Sequence, residues 1–204
     1  MDIEFWYDFS SPWTYLASTQ LESVVQRAGG NLIWRPMLLG AVFKQVGTPD
    51  VPALAMPEAK RNYYSRELDL WAEHWDVPFK FSTRFPMRTV TALLLALLAG
   101  DRIATLSHAL FEALWVDDRD ISDDTELADI LKAEGFDAES MLAHTQQPEA
   151  KQKLIDATSE AVERGVFGAP TFIMKHPEGD VMLWGQDRLE LVEKVLGGWR
   201  PRSA

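Results

Sequence analysis

Hydrophobic spacing alternates between strand and helix periods along the chain. Ile3 to Phe9 is dense in aromatic and β-branched residues, which predicts a buried strand. Ser10-Ser11-Pro12 then breaks the run, and Leu16, Leu21, Val24, Val25 and Ala28 recur at helical intervals until Gly29-Gly30. Either serine can cap that helix, and Pro12 suits its first position, where a missing N–H costs nothing. "NLIWRPML" predicts a second strand, parallel to the first if the crossover is right-handed. After a proline-punctuated stretch around "VGTPDVPALAMP", helical spacing runs through residues 58–75, 87–99, 101–115, 123–134 and 148–164. Asp123 and Glu126 have capping-box spacing. Toward the end, "TFIM" and "VMLW" flank the turn-forming "PEGD" as a hairpin, and "GQDRLELVEKVLGG" predicts a closing amphipathic helix.

The order βαβ, helices, ββα is that of an α/β, thioredoxin-like fold carrying a helical insertion. The expectation is a single domain over residues 1–204, with the inserted helical subdomain at approximately 56–150. No internal repeat or low-complexity segment interrupts it.

Composition narrows the chemistry. An apolar fraction of 47% with 25% charged residues is that of an ordinary globular chain. The net charge of −11 repels phosphate backbones and anionic lipid surfaces, so neither nucleic acid nor membrane is an expected partner. The start is acidic rather than basic, and the longest apolar run, Ala92 to Gly100, is far below the ~20 residues that span a bilayer. A cytoplasmic location is expected. The chain has no cysteine, which excludes disulfides and intrinsic dithiol chemistry. Its four histidines show no recognisable pairing, and no metal site is expected.

Three stretches could carry chemistry, and each has a plain structural explanation beside the functional one. Ser11-Pro12 makes a helix cap. The same helix tip, with free N–H groups and the positive end of the dipole, also favours an anion such as a thiolate. The chain shows no nucleophile elbow and no histidine base for a serine nucleophile. Phe167-Gly168-Ala169-Pro170-Thr171 is a turn before a strand. A cis Ala169–Pro170 bond would expose the Ala169 N–H and C=O to an extended peptide ligand. Gly185-Gln186-Asp187-Arg188 starts a helix, capped by Gln186 or Asp187. It is also a second helix tip for a carboxylate, with Asp187 available to an ammonium group.

Together, "DFSSPWTYLA", "FGAPTF" and "WGQDRLELV", with "EAKRNYYSRELDLWAEHWDVPFKF" between them, resemble the 2-hydroxychromene-2-carboxylate isomerases. The kappa-class glutathione transferases are similar and share the DsbA-like thioredoxin fold. The resemblance spans essentially the full chain and implies that the sulfur is that of glutathione. It places Ser11 as the catalytic residue that stabilises the glutathione thiolate, beside Pro12 and Trp13. It implies that Ala169, before a cis-Pro170, pairs with the cysteinyl backbone, and that Gln186 and Asp187 hold the γ-glutamyl end. Lys60 matches a lysine for the glycyl carboxylate, and Thr48 stands where the family often has asparagine, with shorter reach and one polar group. Trp13, Phe43 and Phe85 are the expected aromatic walls for an aromatic small-molecule substrate, with Arg88 for its carboxylate. The implied reaction interconverts 2-hydroxychromene-2-carboxylate and trans-o-hydroxybenzylidenepyruvate, or a related aromatic compound. A glutathione transferase and a non-catalytic DsbA-like binding protein are the alternatives. A homodimer is expected from the family.

Overall fold

The computed structural model of the protein describes residues 1–202. Four strands form one sheet in the order β2-β1-β3-β4. They are β1 (Asp2–Tyr7), β2 (Asn31–Pro36), β3 (Thr171–Met174) and β4 (Val181–Trp184). β1 runs parallel to β2, joined through helix α1 (Pro12–Arg27), while β3 is antiparallel to β1 and forms the expected hairpin with β4. This is the thioredoxin-like topology that the element order predicts.

As a central strand, β1 is covered on both faces, which explains the apolar run from Phe5 to Tyr7. Ile3, Phe5 and Tyr7 point into the larger core cluster, where Phe5 packs against Phe172 and Trp34 at centroid distances of 5.7 and 5.1 Å. Trp6 points the other way, into a smaller cluster with Met37, Val42, Ala161 and Ile173. The expected strand end at Phe9 is two residues too late, because the chain turns at Asp8.

The helical stretch lies over the sheet rather than apart from it. α3 (Glu58–His74), α4 (Val90–Leu98), α5 (Ile103–Trp115), α6 (Asp124–Ala133), α7 (Ala138–Thr145) and α8 (Pro148–Glu163) follow one another. Leu68, Leu93, Leu110 and Leu127 share the larger cluster with Phe5 and Tyr7. The Tyr7 hydroxyl meets Ser107 of α5 at 2.6 Å, and the Trp115 indole N–H donates to the Phe9 carbonyl at 2.9 Å.

Two helices were not expected from the spacing: α2 (Leu39–Val46) and α7. α7 is capped by Asp137, whose carboxylate accepts the Ser140 N–H at 3.1 Å. The Asp123 cap forms, accepting from the Thr125 and Glu126 N–H groups, but Glu126 turns to Arg119 at 2.7 Å, so the capping box is half made. The final helix also starts later than expected. Gln186–Arg188 form a 3-10 turn, and α9 (Leu189–Leu196) follows with neither Gln186 nor Asp187 capping it by a side-chain bond.

β1 carries Asp2 at its first position and Glu4 within it, and Glu4 is 4% exposed. Arg164, at the end of α8, pairs with it and with Asp180, and Lys175 approaches to 3.5 Å. Removing one partner of a buried pair leaves a charge uncompensated, which costs more than the pair gains. Arg164→Ala is therefore expected to destabilise the protein by about 3 kcal/mol, the low end for such a loss because Lys175 remains. Urea unfolding of both proteins measures this, and a change below about 1 kcal/mol would show the network to be dispensable.

Candidate active site

The α1 tip is built by its sequence. Ser11 is the N-cap, with extended backbone, and its Oγ accepts the Thr14 N–H at 3.3 Å. Thr14 and Tyr15 both donate to the Ser11 carbonyl, and Pro12 has no N–H. Trp13 is thus left with the one first-turn amide that has no partner among the described residues. The Ser11 hydroxyl itself donates across the fold to the Ala169 carbonyl, 3.1 Å away. The Ala169–Pro170 bond is cis, as is Phe85–Pro86. The Ala169 N–H has no backbone partner among the described residues.

Beside this junction opens a cavity of about 610 Å³. Ser11, Pro12, Trp13, Phe43, Thr48, Phe85, Arg88 and Ala169 all line it, so the fold gathers eight of the expected residues around one space. Four others are not on its wall. Pro170 is buried behind Ala169, where its carbonyl accepts the Gly185 N–H at 3.0 Å. Gln186 and Asp187 follow directly from that contact, and Asp187 pairs with Arg188 at 3.2 Å. Lys60 is exposed on the first turn of α3, one turn before Tyr64 on the same helix face, and Tyr64 does line the cavity.

The wall is mostly apolar. Arg88 is its single cation among the described residues, is exposed, and has no ion-pair partner there. At the Ala169 end, Phe167 and Trp184 make a half-exposed aromatic rim with ring centroids 5.1 Å apart. Gly168 permits it, since a Cβ there would lie 2.6 Å from the Trp184 indole nitrogen.

Several residues at the site carry no motif. Asp8 is 1% exposed, yet lines the cavity beneath Ser10 and Ser11. Its Oδ1 accepts from the Ser10 N–H (2.9 Å) and the Thr89 hydroxyl (2.8 Å), and its Oδ2 from the Leu39 N–H (2.8 Å). The signal available in the sequence was an acid directly after the apolar run Phe5 to Tyr7. Tyr64, pinned edge-on by Trp13 at 5.2 Å, was hidden in a helix of mixed character.

The free Trp13 amide at the α1 tip and the Ser11 hydroxyl, bonded to the backbone before a cis-proline, stand at the first strand–helix junction of a thioredoxin-like fold, in a chain without cysteine. The chain belongs to the family described as the DSBA-like thioredoxin domain, whose sequence model matches residues 2–197. It is 29% identical to a 2-hydroxychromene-2-carboxylate isomerase from Pseudomonas sp. (strain C18) over 198 residues, 96% of this chain and 90% of that protein. It is 28% identical to glutathione S-transferase kappa 1 of Homo sapiens over 210 residues, again 96% of this chain and 90% of that one. A solved 2-hydroxychromene-2-carboxylate isomerase superposes with a TM-score of 0.87 at 25% identity, covering 97% of this chain and 95% of the other. The family resemblance and the fold read from the sequence are thereby borne out. Among the described residues, no helix is long and apolar enough to cross a membrane.

Burial raises the Asp8 carboxyl above its ordinary value, although the bonds from Ser10, Leu39 and Thr89 oppose this. A carboxyl raised by folding holds its proton more tightly when folded. Its contribution to stability is therefore full below the unfolded pKa and falls as pH rises through the folded one. Wild type is expected to lose stability relative to Asp8→Asn as pH rises through that window. Urea midpoints measured from pH 4 to 8 test this, and a constant difference between the two proteins would refute it.

Proposed function

We propose that the protein is a glutathione-dependent isomerase of conjugated aromatic keto acids, interconverting 2-hydroxychromene-2-carboxylate and trans-o-hydroxybenzylidenepyruvate or a close relative. The observation that carries this is the Ser11–Ala169 junction at the edge of a large apolar cavity, in a chain without cysteine. A thiol-handling corner with no thiol of its own suits a thiol that arrives with a ligand.

The residues present fit that tripeptide. The Trp13 N–H and the Ser11 hydroxyl can meet a thiolate, and the Ala169 N–H and C=O can pair with a peptide backbone. Asp187 suits an ammonium, Lys60 a carboxylate, and Thr48 offers one hydroxyl. Pro12 and Trp13 contribute to the cavity wall, Pro170 holds the backbone behind Ala169 through the Gly185 N–H, and Gln186 stands with Asp187 for the γ-glutamyl end. When bound, glutathione supplies the thiolate that adds reversibly to an alkene and frees it to rotate.

The chain's own part is to lower the cost of that thiolate and orient its partner. The dipole of α1 favours negative charge at its tip. Ser11 adds a charge-assisted bond once its hydroxyl turns from the Ala169 carbonyl. Arg88 is placed to take the substrate carboxylate, with Phe43, Phe85 and Trp13 as apolar walls for the aryl group. A homodimer, on family resemblance, and a cytoplasmic location, on composition, accompany this reading.

Glutathione titration, followed by thermal stability and by thiolate absorbance near neutral pH, tests the reading directly. Binding is expected to raise the melting temperature as RT ln(1 + [L]/Kd) and to show a depressed thiol pKa. Ser11→Ala is expected to raise that bound pKa by about one to two units, the worth of one bond to a charged acceptor, with the fold intact. Full turnover without thiol would exclude the mechanism. A stable released conjugate would make the protein a transferase, and absence of glutathione binding would leave a non-catalytic scaffold.

A further inference from the structure

The cavity's supply of protons points to one side chain. Five hydroxyl residues line it: Ser10, Ser11, Thr48, Tyr64 and Thr89. Thr89 gives its proton to Asp8, and Ser10 is also bonded to that carboxylate. Ser11 gives its proton to the Ala169 carbonyl. Thr48 and Tyr64 remain. An aliphatic alcohol is far too weak an acid to surrender a proton near neutral pH, whereas a phenol, with an ordinary pKa of about 10, is within reach of an enolate.

Tyr64 is also the better held of the two. It stands on α3, half-buried, with its ring fixed edge-on against Trp13 at an interplanar angle of 88°. Thr48 lies in the loop after α2. Burial pushes the Tyr64 phenol up to about 12, a neighbouring bond from Trp13 acting against this, so it stays protonated and remains a donor. No acceptor for its proton is found among the described residues.

We propose that Tyr64 is a catalytic acid–base residue whose hydroxyl binds the ketone oxygen of the substrate, beside a carboxylate held by Arg88. This rests on the reading of the same cavity given above and names the group that receives the displaced electrons. As the C–S bond forms at the alkene carbon remote from the ketone, the π electrons move onto the ketone oxygen, and Tyr64 donates its proton there. When the C–S bond breaks, that proton returns to Tyr64 and the alkene re-forms. Nothing is oxidised or reduced.

The test is a binding comparison that needs no turnover. Calorimetric titration with 4-phenyl-2-oxobutanoate, which lacks the alkene, and with 4-phenylbutanoate, which also lacks the ketone, isolates recognition of that oxygen. Wild type is expected to prefer the keto acid by up to about tenfold, the usual worth of one such bond, and Tyr64→Phe to bind both alike. Incorporating 3-fluorotyrosine at position 64, which keeps the shape and makes the phenol more acidic, is expected to widen the preference. With glutathione and the benzylidenepyruvate, Tyr64→Phe is expected to lower kcat by about 100-fold with little change in KM. No preference in wild type, or a preference kept by Tyr64→Phe, would overturn the assignment. Glutathione binding, titrated separately on both proteins, reports on the isomerase reading alone.

Discussion

The site depends on one buried carboxylate. Asp8 sits where β1 ends, and its three bonds reach the Ser10-Ser11 turn, the first residue of α2 and the segment before α4. Those segments supply Ser11, Phe43, Phe85 and Arg88 to the cavity. Burying an ionisable group is costly, and only multiple donors make it tolerable. A neutral side chain of similar size cannot accept from all three without leaving an N–H unpaired. The geometry of the cavity is thus fixed by hydrogen bonds beneath it, more than by contacts among the residues that face a ligand.

Charge is distributed with the same economy. The chain carries −11 overall, yet the cavity wall is apolar, with Arg88 as its cation. Arg88 is exposed on the wall of that cavity, where its guanidinium can attract an anion at short range against the general field of the protein. The tip of α1 adds a second, weaker positive element at Ser11. Two separated positive points in one cleft suit a ligand pair with two negative ends, a thiolate and a carboxylate.

Much of the fold was legible because hydrophobic period is a property of the chain itself. β1 and α1 could be read from aromatic density and from Leu16-Leu21-Val24 spacing. α2 has helical spacing at Leu39, Val42, Phe43 and Val46, but it is only 8 residues long and the loop signals Gly47, Pro49 and Pro52 follow it directly. α4 starts at Val90 rather than at 87, with Thr89 as its non-helical N-cap residue, and the Thr89 side chain bonds Asp8, a long-range contact that no local pattern encodes. The same limit applies to the site. Ser11 and Ala169 lie in recognisable turns. Asp8 and Tyr64 gain meaning only from what surrounds them in space.

The Ser11–Ala169 bond bears on how the site meets a ligand. One hydroxyl proton cannot serve both the Ala169 carbonyl and a thiolate. As the structure stands, it satisfies the carbonyl, which would otherwise lie bare beside an apolar cavity. An extended peptide that pairs with Ala169 offers its own N–H to that carbonyl, and so releases Ser11 to turn toward sulfur. Backbone pairing and thiolate stabilisation are then coupled through one side chain, because a ligand that brings only a thiol must break a bond that a peptide thiol replaces. Under the proposed function, a preference for a peptide-borne thiol over a simple one would follow from this exchange of partners, without any further contact to the rest of the ligand.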